Sequence, residues 1–241
     1  MITDYGYGIN GMVPGSMAIL WGRALSDGTA SAGEPLPYVL AGASVQVNGL
    51  AAPVISAEPA ALRFQIPYEA GGAAVVTLAS NSPFEQYAMP PAYPLTPWDL
   101  AFLDLSPDPA IYLGISAIHQ DFSSLVTLDN PAQPNEIVSF YAVGLGATTP
   151  AGQTGMPAPS NPPAVVVSPL QCSIENPDQT YTPVGVTFAG LAPGMSGIYQ
   201  VSIQLPDSFS LLPGERYIVI FCTVSGGGYV PGVEVAVPNK N

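Results

Sequence analysis

Basic side chains are nearly missing from this chain. Arg23, Arg63, Arg216 and Lys240 are its only cations against 17 acids, which leaves a net charge of -13 and an isoelectric point near 4.1. Binding a phosphate backbone needs clustered Lys and Arg that displace counterions, so nucleic acid is set aside as a partner, and an anionic membrane surface with it. Charge of either sign is scarce, at 9% of residues, where an ordinary globular domain carries about 25%. With one histidine, a Ser-His-Asp triad could run only through His119, with Asp121 as its acid. No nucleophile elbow accompanies it, because Gly194-Met195-Ser196-Gly197 lacks the G-x-S-x-G spacing. Two cysteines, Cys172 and Cys222, are too few for a structural zinc site even with His119 added. No run of about 18 apolar residues exists to cross a membrane as a helix. Met1-Ile2-Thr3-Asp4-Tyr5-Gly6 has neither the basic nor the apolar region of a signal peptide. Sustained 3.6-residue periodicity is missing too, as expected of a chain with 28 Pro and 25 Gly.

What is present is strand pattern. Hydrophobic residues make up 48% of the chain, enough for a core, and the length allows one large β domain or two of about 100 residues. Tyr199, Val201, Ile203 and Leu205 alternate with Gln200, Ser202 and Gln204 ahead of Pro206, the period of a strand with one buried face. The pattern is written twice: Leu62, Phe64 and Ile66 stand to Gln65 and Pro67 as Val201, Ile203 and Leu205 stand to Gln204 and Pro206. Opening strands repeat as well, with Pro14, Met17, Leu20, Trp21 and Leu25 returning at constant spacing as Pro134, Ile137, Phe140, Tyr141 and Leu145. Two copies of one design favour two domains.

The expected organisation is all-β: two tandem immunoglobulin-like β-sandwich domains joined by a proline-rich bridging segment. Residues 1–13, rich in Tyr and Gly, form an N-terminal arm; residues 14–80 form the first sandwich, 81–129 the bridge with short strands, and 130–241 the second sandwich. In each copy the opening strand leads into a Gly/Pro/Ser/Thr/Ala loop that should be exposed, at 26–37 and 146–163. Strands at 43–49 and 171–176 follow; Asn48-Gly49 signals a tight turn, and the buried pair Val45 and Val47 is matched by Cys172 and Ile174. Short strands at 54–55 and 184–188, the two strands that end in proline, and last strands at 73–79 and 217–224 complete meanders of about six or seven strands each. A further strand is expected at 230–237. The bridge opens with an extended stretch, 83–97, pinned by Phe84, Tyr87, Tyr93 and Trp98. It continues through short strands near 101–105, 111–118 and 125–128.

Candidates for chemistry are few. A disulfide between Cys172 and Cys222 would close about 50 residues and contribute roughly 4 kcal/mol by chain entropy. A Lys-poor chain rich in Ser, Thr, Gly and Pro suits an extracytoplasmic, oxidising space; two buried free thiols are the other reading. Asp99, Asp104, Asp108 and Asp129 carry ligand oxygens but match neither an EF-hand nor an Asp-x-Asp repeat, so no metal, cofactor or catalytic residue is expected. His119 reads as a polar residue at a strand end, and Trp21, alternating with apolar neighbours, as core. Trp98, Tyr93 and Tyr87, with Tyr5 and Tyr7 of the arm, are the candidate ligand or partner contacts, since flat apolar rings stack on sugars and pack against proteins.

Five stretches in order over residues 12–225 carry a family resemblance: PGSMAILWG from Pro14, ASVQVNGLAAP from Ala43, RFQIP from Arg63, NPAQPNEIVSFYAVGLG from Asn130 and FAGLAPGMSGIYQVSIQLP from Phe188. They resemble the uncharacterised C-terminal domain of large Solibacter and other acidobacterial proteins. The resemblance implies halves similar to IPT/TIG immunoglobulin-like domains at the end of secreted or surface proteins, with no catalytic or ligand-binding residues to carry over. The Cys172 and Cys222 pair departs from that pattern, as does Ala61-Leu62-Arg63 in place of Gln-hydrophobic-Asn.

The functional expectation is a non-enzymatic, secreted or cell-surface structural module that works by adhesion or by self-assembly into a fibre or layer. Its partners would be further copies of itself or other surface proteins. The scarcity of charge supports this, because a solitary soluble domain keeps about 25–35% charged residues on its surface. The arm at 1–13 and the strand at 230–237 are suited to addition at a neighbour's sheet edge. The alternative is a carbohydrate-binding or enzyme-accessory module with polysaccharide as its partner.

Overall fold

The computed structural model describes residues 2–4, 12–80, 93–103, 105, 117–224 and 232–238, with the backbone alone at 2–4 and 93. Every regular element among them is a strand. In chain order these are β1 (Ile2–Asp4), β2 (Met17–Trp21), β3 (Ala30–Ser31), β4 (Ala43–Val47), β5 (Leu50–Ala52), β6 (Val54–Glu58), β7 (Ala61–Gln65), β8 (Ala73–Ala74), β9 (Val76–Ser80) and β10 (Tyr93–Pro94). There follow β11 (Ala101–Phe102), β12 (Ile137–Val143), β13 (Thr148–Thr149), β14 (Val165–Val166), β15 (Leu170–Glu175), β16 (Tyr181–Leu191), β17 (Tyr199–Gln204), β18 (Tyr217–Val224) and β19 (Val233–Ala236). The chain is all-β. Its residues gather into two compact units built from separated stretches, whereas the repeat divides the sequence into consecutive blocks. The first unit is Met1–Ala101, Val143–Val167 and Gly190–Tyr199; the second is Phe102–Ala142, Ser168–Ala189 and Gln200–Asn241.

In the first unit a sheet of order β1-β2-β7-β6-β3 and a sheet of order β5-β4-β9 share one apolar core. Ala18, Leu20, Val54, Leu62 and Phe64 come from the larger sheet, and Val45, Val47, Val76 and Leu78 from the smaller. Two sheets closing on a common core are consistent with a β-sandwich, and each large side chain buried there stabilises the fold by about 1.5–3 kcal/mol. Asn48 and Gly49 join β4 to β5 at φ values of +54° and +76°, the left-handed pair that a two-residue hairpin requires. The Asn48 amide also accepts from Val75 N at 2.8 Å and donates to Gly71 O at 2.9 Å.

The second unit is organised on a sheet of order β11-β12-β17-β16-β15-β18-β19. Strand β18 alternates: Ile218, Ile220, Cys222 and Val224 are buried, while Tyr217, Val219, Phe221 and Thr223 face outward. In β15, Leu170, Cys172 and Ile174 are buried in the same way. Cys172 lies directly opposite Cys222 with the Cα atoms 4.1 Å apart, and the two are joined as a disulfide, so the free-thiol reading falls.

The two copies share part of their strand order, although β4 and β6 lie in separate sheets while β15 and β16 pair in one. β2-β7-β6 in one copy corresponds to β12-β17-β16 in the other, and the β4-β9 pair corresponds to β15-β18. Several local expectations need correction. Trp21 is 45% exposed; β2 has Met17, Ala18, Ile19 and Leu20 all buried, so alternation does not sort in from out along it. Ser202, expected on the polar face, is buried because its hydroxyl bonds Ser139 Oγ at 2.8 Å. The strand at 184–188 is only part of the eleven-residue β16, and the strand at 73–79 is broken at the exposed Val75 into β8 and β9. The loop at 26–37 contains β3, which pairs with β6, and the loop at 146–163 contains β13, which pairs with β14. Neither terminal strand is loose: β1 pairs with β2 and β19 with β18.

Candidate functional site

His119 is a clamp in a loop of the second unit. Its Nδ1 lies 2.5 Å from Glu136 Oε1 and its Nε2 3.1 Å from Asn130 O. A carbonyl only accepts, so Nε2 carries a hydrogen and both ring nitrogens are in use. Glu136 in turn accepts from Gln133 N at 2.8 Å through its other oxygen. Asp121 accepts from Ser123 N at 3.0 Å, and the Ser123 hydroxyl and amide hold its carboxyl below the usual range. The carboxylate at Nδ1 is thus Glu136 and not the expected Asp121, and Nε2, which a triad would turn to its serine, is held by a backbone carbonyl. Among the described residues no three His, Cys, Asp or Glu side chains converge to hold a metal. Asp104 and Asp108 lie outside the described residues.

The G-L-A-P-G-M-S-G stretch acts as a clasp within the first unit. Glu34 accepts from both Ser196 N and Ser196 Oγ, at 2.8 and 2.6 Å. Gly197 sits at φ +70°, and a Cβ on it would stand 2.8 Å from Gly15 O. Gln65 lies beside this contact, fully buried: its Nε2 donates to Gly15 O at 3.1 Å and its Oε1 accepts from Gly155 N at 2.7 Å. Tyr68 fills the space over Gly15 and Gly152, where added Cβ atoms would come within 1.9 and 2.4 Å of its ring. Burial, with the Glu69 carboxylate adding to it, pushes the Tyr68 phenol well above its ordinary value. Burial and then Tyr68 push Tyr199 up as well, and the Tyr199 hydroxyl donates to Gly146 O at 2.5 Å. These phenols hold the fold and are not poised to titrate.

The outward face of the second unit's sheet offers a different surface. Register places Gln171 opposite Thr223 and Ser173 opposite both Phe221 and Pro183. Tyr181 and Phe221 lean together over this row with ring centroids 5.8 Å apart and planes at 76°. A groove of about 840 Å³ runs past Gln171, Ser173, Thr223, Tyr181, Pro183 and Phe221, and no charged side chain lines it. Gly232 makes room for the aromatic wall, since a Cβ there would stand 2.6 Å from Val219 Cγ1 and 2.7 Å from Phe221 Cε1. Tyr181 and Tyr217 remain 52% and 43% exposed.

Of the predicted contact residues, Trp98 is half-buried in the first unit. It sits where Pro97 O and Asp99 O press against Gly146 and Gly144, which admit them by having no Cβ. The backbone of Tyr93 pairs with Ala74, while Tyr5, Tyr7 and Tyr87 fall outside the described residues. Sequence reasoning missed Tyr181, Phe221 and Tyr217. The available signal was the alternation of β18, whose outward positions hold Tyr, Val, Phe and Thr where a solvated face would be polar. No family model, curated protein or solved structure matches the chain.

Proposed function

We propose that this chain is a non-enzymatic module of the cell surface or extracellular space that works by adhesion. The observation that carries this reading is the outward face of the second unit's sheet, where exposed Tyr181 borders a groove lined by no charged side chain and Tyr217 is exposed farther along β18. Apolar surface of this kind, rimmed by polar residues, marks interaction sites. The Cys172–Cys222 disulfide and the charge shortage fit an oxidising compartment outside the cytoplasm. The shared part of the strand order supports two immunoglobulin-like sandwiches, and with them the resemblance to the acidobacterial C-terminal domain.

Adhesion through a face is favoured over assembly by strand donation. The edge strands of the two larger sheets, β1, β3, β11 and β19, have three, two, two and four residues, and short edges are poor templates for a neighbour's strand. A donated-strand fibre would also have to exchange β1 or β19 out of its own sheet. Surface labelling and fractionation of cells making the chain test the location; recovery only in the cytoplasm with reduced cysteines would overturn it. Sedimentation and electron microscopy test the mode. Polymers lost on deleting residues 1–13 would replace face adhesion by strand donation.

A further inference from the structure

A row of side chains crosses four strands on the outward face of the second unit's sheet, and we propose that it docks an arginine-bearing segment of another protein. This rests on the reading of the chain as a surface adhesion module and names the partner of that same face. Register sets Tyr181 of β16 opposite Glu175 of β15, Glu175 opposite Val219 of β18, and Val219 opposite Glu234 of β19. Residues opposite one another in a ladder project to the same side, and their neighbours along each strand, Ile174, Ile218, Ile220, Val233 and Val235, fill the core. Tyr217 stands on the outward side too, diagonal to Glu234 and exposed like Tyr181. Glu175 and Glu234 are half-buried. Neither takes a hydrogen bond or an ion pair among the described residues, where Arg63 is held by Glu58 and the Arg216 guanidinium by Leu128 O.

The row therefore pairs a carboxylate with an aromatic ring at each end: Glu175 directly across from Tyr181, and Glu234 diagonal to Tyr217. A guanidinium matches this pair, because its planar N–H fork bonds a carboxylate while its face lies on a ring. Opposite Cβ atoms in a ladder stand about 4.5–5.5 Å apart and diagonal ones about 7–8 Å, close enough for one guanidinium to reach both members. The two carboxylates lie two strand spacings apart, about 9–10 Å, with the short Val219 as the floor between them. Tyr181 meets Phe221 at 76° and is still 52% exposed, so the contact with Phe221 leaves the tyrosine available.

The same features disfavour other occupants. An anionic polymer meets a chain of net charge -13 and a row with no cation. A second copy brings four cations against 17 acids, so like charge meets like. A neutral sugar or an apolar protein face would cover Glu175 and Glu234 without a counter-charge, the costly way to bury a carboxylate. Calcium takes six or more oxygen ligands, and among the described residues no three His, Cys, Asp or Glu side chains converge to supply them.

The test is fluorescence anisotropy of labelled nonaarginine, nonalysine and Gly/Ser peptides of equal length, titrated with the purified, disulfide-intact chain at about 0.15 M salt, where distant charges are screened. Nonaarginine is expected to bind more tightly than nonalysine, and the Gly/Ser peptide not at all. Glu175→Gln with Glu234→Gln removes two charges from the row. Asp129→Asn with Asp207→Asn removes two exposed charges elsewhere in the same unit and reaches the same net charge. The first pair should weaken nonaarginine binding roughly fivefold or more relative to the second. Tyr181→Ala should weaken it about threefold, while Tyr181→Phe, which keeps the ring, should retain it. Circular dichroism and disulfide content of each variant establish that the fold is intact. Four outcomes overturn the assignment: no binding of either cationic peptide, equal losses in the two charge-matched pairs, indifference to Tyr181→Ala, or nonalysine bound as tightly as nonaarginine. Failure here with the chain still recovered at the cell surface removes the partner class and leaves the adhesion reading standing, whereas recovery only in the cytoplasm removes the adhesion reading whatever the peptides do.

Discussion

Gln65 is the residue whose replacement most directly tests the first unit. It is fully buried at the end of β7 and joins two backbone groups far apart in sequence, the Gly15 carbonyl and the Gly155 amide. In Gln65→Leu both groups lose their partner out of reach of water, at roughly 1–3 kcal/mol each, so about 2–6 kcal/mol is lost from a total of about 5–15. Gln65→Glu is more discriminating because its effect depends on pH. Protonated, the carboxyl mimics the amide, its O–H donating to Gly15 O and its carbonyl accepting from Gly155 N. Ionised, it has no proton to offer and places a buried charge against a carbonyl oxygen. Burial raises its folded-state pKa above the unfolded value of about 4.3. Below that value both states are protonated and no ionisation penalty exists. The penalty grows as pH rises through it and levels off above the folded-state pKa. Buried carboxyls titrate up to about 3–5 pH units high, so at pH 7 the loss is set by the roughly 2.7 units above 4.3 at about 1.36 kcal/mol each, about 3–4 kcal/mol, and it keeps growing above neutral pH.

The assay is urea unfolding of wild type, Gln65→Glu and Gln65→Leu across acid to neutral pH, each variant compared with wild type at the same pH so that the native acids cancel. Both tryptophans, Trp21 and Trp98, lie in the first unit, so their fluorescence reports the unit in question. A Gln65→Glu deficit that stays flat with pH, or a Gln65→Leu as stable as wild type, would refute the placement of Gln65 in this bridge.

Three further outcomes are expected. Replacing Cys172 and Cys222 together by Ser frees a loop spanning a sequence separation of 50 and should cost about 4 kcal/mol on the chain-entropy model; reductant should bring wild type to the same circular-dichroism midpoint. Gly144→Ala meets Asp99 O at 1.9 Å at φ +79° and should fail to fold or lose more than about 4 kcal/mol, whereas Gly194→Ala, also at φ +79° but with open space around it, should lose only about 1–2 kcal/mol. His119→Ala leaves Glu136 and the Asn130 carbonyl without the ring that joins them and should lower the urea midpoint by about 1–3 kcal/mol of stability, while His119→Gln, able to reach one of the two, should recover part of it.

Strand identity was legible wherever one face is buried and the other wet. In β4, β9 and β15 the alternation of apolar residues maps onto burial position by position, and Asn48-Gly49 marked its hairpin because only a residue pair tolerant of positive φ turns that tightly. The reading failed where both faces are covered. β2 and β7 are buried almost throughout, so period two carries no information there: Trp21 was placed inside and stands out, and Gln65 matched the half-exposed Gln204 yet is sealed. Burial on the second face comes from residues distant in sequence, Gly155 among them, and no local pattern encodes them.

The glycines and aromatics of the second copy show the same limit from the functional side. G-L-A-P-G-M-S-G stands out within the longest family-like stretch, but its composition reflects crowding: Gly197 can approach Gly15 O only without a Cβ, and Ser196 is held by Glu34. The outward aromatic row was hidden in an ordinary-looking strand. Tyr217, Val219, Phe221 and Thr223 are separated by the residues that fill the core, so they read as a hydrophobic run until register sets Phe221 beside Ser173 and brings Tyr181 over from β16. A groove assembled from three strands has no contiguous signature, and Gly232 packs so closely on β18 that a Cβ there would stand 2.7 Å from Phe221 Cε1. A conspicuous motif here therefore marks where backbones touch, while the outward aromatics stand in a strand that no motif marks.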